Sequence, residues 1–291
     1  MSLKLTLVAG LTATVSLAGT FAGTFPRQHD ARVCGAPEPS EDQVTTANWF
    51  ATEEAKGKVL RHVKKDTITV EVYVHVIAAD ETKGGGYVSR DDVNAQMDVL
   101  NNNYSKGHIS FTLEDVDWTV NKNWTTNGDI LNRKKTLRKG GYSALNLYYV
   151  NQIGGGYVGG CGFPFDAKPG SDDFYWDGCT MVFTTMPGGS AINQNEGKIT
   201  VHEVGHWFGL MHVSDNMGGG CTSPGDGIDD TPPMLTPLFG CPTGTDSCPD
   251  QPGVDPINNF MAYTDDYCKT EFTQGQFDRM WSNWNRYRKG K

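Results

Sequence analysis

The run His202-Glu203-Val204-Gly205-His206-Trp207-Phe208-Gly209-Leu210-Met211-His212 holds the densest reactive chemistry in the chain. On a helix, residues four apart lie one turn above each other, so His202 and His206 can offer both imidazoles to one metal ion. Glu203 is displaced by one residue and flanks such an ion instead of binding it. Gly209 can adopt the left-handed conformation that ends a helix, after which the chain can turn back and supply His212 as a third ligand. Three neutral imidazoles leave the ion its full double charge and one open position, which is the catalytic kind of zinc site. Zinc lowers the pKa of bound water toward about 7. Glu203 is then placed to take the proton as general base and return it to a leaving amine. His29, His62, His75 and His108 have no partner spacing and read as ordinary surface or core imidazoles.

These residues need a scaffold, and the pattern upstream predicts one. The β-branched stretch Thr67 to Ile77 is a strand. Ser89 starts a helix with Asp91 and Asp92 in its first turn and Val93, Met97 and Leu100 on one face. Strand-like runs follow at Ile109 to Leu113, Leu145 to Val150 and Met181 to Thr184, with a glycine-rich irregular region between Gly154 and Gly189. A helix surrounds His202. From Gly218 to Asp255, Gly, Pro, Asp, Ser, Thr and Cys discourage long regular elements. The last helix starts at Thr273, with Gln276 in capping-box spacing and Phe277, Met280, Trp281 and Trp284 forming a core-facing stripe. There is no internal repeat.

Composition limits the classes. Among 291 residues, 34 Asp and Glu outnumber 25 Lys and Arg, giving a net charge of −9 that argues against nucleic acid as a partner. Aromatics at 11% supply enough apolar bulk for a sizeable core, and 35 glycines predict a loop-rich protein. At the N-terminus, Lys4, the apolar stretch Leu5 to Leu17 and the small residues from Ala18 to Gly23 have the layout of a secretory signal peptide. The stretch is shorter than the roughly 20 apolar residues that span a bilayer, so no membrane anchor is expected. Export permits disulfides among the seven cysteines and gives meaning to the sequons at Asn103 and Asn123. The polar stretch Thr24 to Lys58, interrupted by Pro26, Pro37 and Pro39, reads as a short pro-segment.

The pattern His-Glu-x-x-His-x-x-Gly-x-x-His, followed by Asn258-Asn259-Phe260-Met261-Ala262-Tyr263, resembles the metzincin metallopeptidases and their Met-turn. Asp226-Gly227-Ile228-Asp229-Asp230-Thr231-Pro232 and the cysteine spacing around it are similar to the pappalysin family, in particular its secreted fungal extracellular metalloproteases. The likeness runs from about Val70 to Trp284 and is weak over the first hundred residues. It implies an α+β metzincin-like catalytic domain: a twisted mixed sheet with helices above the zinc helix, and an irregular, disulfide-stapled lower subdomain. It implies Met261 as an apolar floor under the metal and Tyr263 as a residue that assists the oxyanion.

The same resemblance implies bridges Cys221 to Cys248 and Cys241 to Cys268, leaving Cys161 with Cys179, although sequence alone does not fix the connectivity. Cys34 is then left over in the pro-segment. It looks like the cysteine switch of some metzincins, a thiolate that fills the water position until cleavage near Arg61 to Lys65; the alternative is an unpaired or intermolecular thiol. Similar family members bind calcium near Asp226, Asp229, Asp230 and Thr231, whose hard oxygens suit Ca²⁺; the alternative is a solvated acidic loop. Asp266 resembles an acid that holds a basic side chain in the S1′ pocket, or else belongs to a solvated acidic turn.

The expected organisation is a signal peptide over 1–20, a pro-segment over 21–62 and a catalytic domain over 63–291. The expected function is that of a secreted, extracellular, monomeric zinc endopeptidase acting on protein or peptide substrates, with Ca²⁺ as a second metal. The rival from another class is a secreted disulfide-rich zinc-binding protein that has lost catalysis. The presence of Glu203, which such a protein could discard, speaks against it.

Overall fold

The computed structural model describes residues 32–56, 66–214, 220–222 and 225–291. The expected signal peptide and the basic stretch Arg61 to Lys65 lie outside them. In chain order the elements are β1 (Arg32–Cys34), α1 (Glu41–Ala55), β2 (Ile68–Ala78), α2 (Arg90–Tyr104), β3 (Ile109–Val120), α3 (Lys122–Thr125), α4 (Ile130–Leu137), β4 (Leu145–Val150), β5 (Tyr157–Gly160), α5 (Asp172–Trp176), β6 (Cys179–Val182), α6 (Lys198–Trp207) and α7 (Gln274–Asn283).

The strands form a six-stranded sheet in the order β1-β5-β6-β4-β2-β3, parallel throughout except at the β5–β6 pair. All six residues of β4 are buried, as expected for a strand covered on both faces. On one face, Val70, Val72, Val74 and Val76 of β2 share a core with Val93, Met97 and Leu100 of α2 and with Ile199, Val201 and Val204 of α6. On the other, Ile77, Tyr148 and Val150 pack with Trp124 and Leu137 of α3 and α4. His75 belongs to that second face, where its ring nitrogens bond Asp117 and Asn146 at 2.9 Å each. It is a satisfied sheet histidine, in keeping with its lack of partner spacing.

β3 runs well past the expected Leu113. Glu114, Asp115 and Asp117 break the apolar pattern, but an edge strand needs apolar residues on one side only, and β3 stays paired with β2 along its whole length through one irregularity at Val72/Tyr73. The larger departure is α1, a helix of 15 residues in the stretch read from sequence as an irregular pro-segment. Ser40 and Gln43 form a capping box with Glu41 and Asp42 in the first turn. Only Ala47 and Phe50 are fully buried, so the helix has no stripe that periodicity could detect. Its stability comes from docking: Ala47 packs with Phe163 and Met211, and Glu54 receives a bidentate pair from Arg279 of α7 at 2.9 and 3.1 Å.

Below α6 the chain is irregular until α7; among the described residues this region holds a short 3-10 turn at 220–222 and one isolated bridge, Asn259 with Glu271. Three disulfides are formed: Cys161–Cys179, Cys221–Cys248 and Cys241–Cys268. The last two each close 27 positions, worth roughly 3 to 4 kcal/mol apiece by the chain-entropy model, in a segment with little core of its own. α7 begins at the expected capping box of Thr273 and Gln276 and continues into a π-helical turn, Trp284–Arg288. That turn drives Arg288 inward, 3.6 Å above the Trp207 ring, where it donates to the Trp207 carbonyl and pairs with buried Asp177 at 2.8 Å. The C-terminal end of α6 is thereby clamped.

Candidate active site

Nine of the ten residues of α6 are buried, so the helix runs through the middle of the fold. It ends as the sequence predicts. Gly209 has φ +88°, its N–H bonds the His206 carbonyl, and the Leu210 N–H bonds the Gly205 carbonyl, the two bonds of a Schellman motif. This reversal brings His212 back against the helix.

The three imidazoles converge. Nε2 of His206 lies 3.2 Å from Nε2 of His202 and 3.0 Å from Nε2 of His212. Nδ1 of His202 and Nδ1 of His206 each sit 2.7 Å from a carbonyl oxygen, of Phe260 and Leu210 respectively. A carbonyl only accepts, so both Nδ1 atoms carry the proton and both Nε2 atoms turn a lone pair inward. Burial, reinforced by the neighbouring imidazoles, holds His202 and His206 well below the ordinary histidine range and thus neutral. Lone pairs aimed at one point with no proton to share are the donor set of a divalent cation, and carbonyl-oriented imidazoles are the arrangement that fixes zinc ligands. The donor set fits zinc.

Met261 is fully buried beneath this set. A Cβ at Gly205 would run into its sulfur, so the glycine within the motif gives the floor its room. The turn is tied by the Met261 N–H to Asn259 Oδ1 at 2.9 Å, and Asn259 exchanges two hydrogen bonds with Gln276 at the start of α7. The hydroxyl of Tyr263 is 3.0 Å from Nε2 of His212. Glu203 points its Oε2 to Cys34 Sγ at 3.6 Å, while Oε1, toward the Cys161 backbone, lacks a well-formed hydrogen bond. Burial pushes this carboxyl up to about 8. The carboxylate fits only because β5 passes with Gly159 at its side, a position sequence reasoning did not single out.

Cys34 closes the cluster. Its Sγ is 3.4 Å from Nε2 of His206, and the four ligand atoms of Cys34, His202, His206 and His212 lie within 4.8 Å of one another. The short strand β1 delivers it by pairing with β5, Arg32 opposite Tyr157 and Cys34 opposite Gly159.

The remaining candidates are placed otherwise. Asp226 is buried and accepts from the Ile228 N–H, with its carboxyl pushed up to about 8 by burial, whereas Asp229 and Asp230 face solvent and Asp230 accepts from the Gly275 N–H. Among the described residues, the one group of His, Cys, Asp and Glu side chains gathered closely enough to hold a metal ion is that of Cys34 and the three histidines. Thr231 lies beside Asp226, while Asp229 and Asp230 turn outward, and the calcium expectation finds no support. Asp266 is not in a solvated turn: it is 1% exposed, accepts from the Glu196 N–H and faces Nζ of fully buried Lys269 at 3.6 Å. Its charge is thus met from within the chain. Of the sequons, Asn123 is exposed on α3, while the Asn103 amide bonds back to the Val99 carbonyl.

A sheet above a histidine-bearing helix, a methionine turn below it and a stapled irregular lobe define a metzincin-class zinc metallopeptidase. Residues 142–284 match the Peptidase_M43 family model, described as pregnancy-associated plasma protein-A. An extracellular metalloprotease of Colletotrichum graminicola is 43% identical over 289 residues, covering 99% of this chain and 100% of the relative. One from Podospora anserina is 46% identical over 266 residues, 88% of this chain and 89% of the relative. Mirolysin, solved in complex with a small compound, superposes with a TM-score of 0.65 at 26% identity over 76% of this chain and 93% of its own. A promirolysin mutant of Tannerella forsythia shares the fold with a TM-score of 0.69 over 87% of this chain and 94% of its own, at 24% identity. The chain belongs to the pappalysin family of metalloproteases. Its cofactor is zinc, and its substrates are peptides or proteins.

Proposed function

We propose that the chain is a secreted zinc endopeptidase made as a latent precursor, with His202, His206 and His212 as metal ligands and Glu203 as general base. The convergence of three imidazoles, two of them turning a lone pair inward, beside a buried carboxyl carries this reading. Zinc bound there supplies a Lewis acid that polarises the scissile carbonyl and acidifies water. Glu203 takes the proton of the attacking water and passes it to the leaving amine; its raised affinity for protons suits both halves of that transfer. Tyr263 brings a hydroxyl to the edge of the site, where it donates to the oxyanion. Met261 keeps the ligands on a dry, fixed floor.

Latency rests on Cys34. Its thiolate competes for the position that water needs, and α1 anchors the segment that carries it. Residues 1–20 act as signal peptide, 21–62 as pro-segment and 63–291 as catalytic domain. Extracellular relatives and three disulfides support export. Asn123 is the better-placed glycan acceptor of the two. The pairing of Asp266 with Lys269 favours an S1′ pocket indifferent to basic side chains. The test of the mechanism is Glu203→Gln: we expect about one zinc per chain retained and kcat lowered by roughly 10²- to 10⁴-fold. Undiminished cleavage by that variant removes Glu203 from the role.

A further inference from the structure

Next to the metal cluster, on the side of His212 and Tyr263, lies a cavity of about 420 Å³. Its fixed wall is mostly apolar, with Tyr157 on β5 and then Pro237 and Phe239 in the loop before Cys241, and Ser214 beside them. Its opposite wall is the N-terminal segment, with Ala36, Pro37 and Pro39. Phe239 remains 49% exposed even with that segment in place, and its ring lies nearly parallel to Tyr263 with centroids 6.1 Å apart.

Nothing about Phe239 suggests a loose surface side chain. The next residue, Gly240, has φ +71° and accepts at its carbonyl from the Asp265 N–H at 2.9 Å; the residue after that, Cys241, is bridged to Cys268 beyond the Met-turn. An aromatic ring kept half in water, yet held by the two residues that follow it and stacked on Tyr263, contributes little to the core. It is preorganised apolar surface, which gains by being covered. The chemistry of what covers it is also limited. Among the described residues lining the cavity, Glu38 is the one charged side chain, and it belongs to the N-terminal segment. A charged side chain entering from elsewhere would lose water without finding a partner.

We infer that Tyr157, Pro237 and Phe239 form a specificity subsite that takes an apolar side chain of the substrate, and that Pro37-Glu38-Pro39 stands in its mouth in the precursor. This rests on the proteolytic reading above. The test is to profile a peptide library with the processed wild-type enzyme and with Phe239→Ser, Phe239→Leu and Tyr157→Ser. The wild type should prefer Leu, Phe or Pro over Asp and Lys at one position near the cut. For a matched pair of peptides, Leu against Asn at that position, Phe239→Ser should reduce the kcat/KM ratio about tenfold, mainly through KM, and Phe239→Leu should restore most of it. Tyr157→Ser, which leaves the ring stacked on Tyr263 in place, should move the ratio in the same direction. A wild type with no apolar preference at any position, or a preference that survives both serine variants, overturns the subsite. A wild type that cleaves no peptide at all overturns the proteolytic reading instead.

Discussion

The Gly159→Ala substitution isolates the placement of Glu203 from its chemistry. Gly159 does not use a left-handed conformation, so alanine brings no backbone strain, and the added methyl is the whole perturbation. Built on the present backbone, that methyl would run into Glu203 Oε1 and stand 2.8 Å from Cγ and 2.9 Å from Cδ, whereas ordinary contact begins at 3.4 Å. The side chain must retreat by about 0.6 to 1 Å or turn to another rotamer. Displacing a catalytic group by about 1 Å costs on the order of 100-fold, so a shift of this size should lower kcat by roughly 10- to 100-fold, or ~1.4 to 2.7 kcal/mol in the barrier. The histidines are not touched, so zinc content should stay at one per chain. The assay is kcat and KM on a fluorogenic peptide, with metal analysis and a melting curve on the same sample. Wild-type kcat in a zinc-loaded, folded Gly159→Ala enzyme would refute the placement of Glu203 against β5. Loss of zinc would refute the claim that this contact acts on the base alone.

Three further outcomes follow from the geometry. Cys34→Ala should give a precursor that cleaves peptide before processing, since the thiol lies within reach of the histidine nitrogens; a variant as silent as wild-type precursor would sink the latency proposal. Asp177→Asn should cost about 3 kcal/mol at pH 6 by leaving Arg288 buried without its anion, measured as a lower midpoint in urea unfolding. Burial opposes the charge on Asp177, but Arg288 and Arg138 prevail and hold its carboxyl below the ordinary 3.8. A depressed carboxyl stabilises the fold fully above about pH 4 and loses that share as pH falls through its folded value. The gap between wild type and Asp177→Asn should therefore narrow when the unfolding curves are repeated at pH 3, and an equal gap at both pH values would contradict the pairing.

The parts of this site that were legible in the sequence are those governed by local spacing. His202, His206 and Gly209 follow from helical geometry and its termination, and Thr273 with Gln276 from capping chemistry. Four features were not. α1 escaped because its amphipathic stripe is two residues wide and its stability comes from Arg279, across 225 positions. Asp177 and Arg288 meet across 111 positions, a pairing with no local trace. Lys269 carries no local signal in the sequence, and only the fold shows it sealed in with Asp266. Gly159 lay hidden among the many glycines of a loop-rich region, distinguished from them by what stands 2.8 Å away.

The bidentate grip of Arg279 on Glu54 has a consequence in time. Cys34 and α1 lie on the same side of the basic stretch Arg61 to Lys65, so a cut there leaves thiol and helix on one fragment, still held by an ion pair and by Phe50 and Ala47. Severing the chain and vacating the cleft are then separate events. If the precursor is latent as proposed, activity should appear with a lag set by fragment dissociation, shortened by salt that weakens the ion pair, while dilution keeps the released fragment from rebinding.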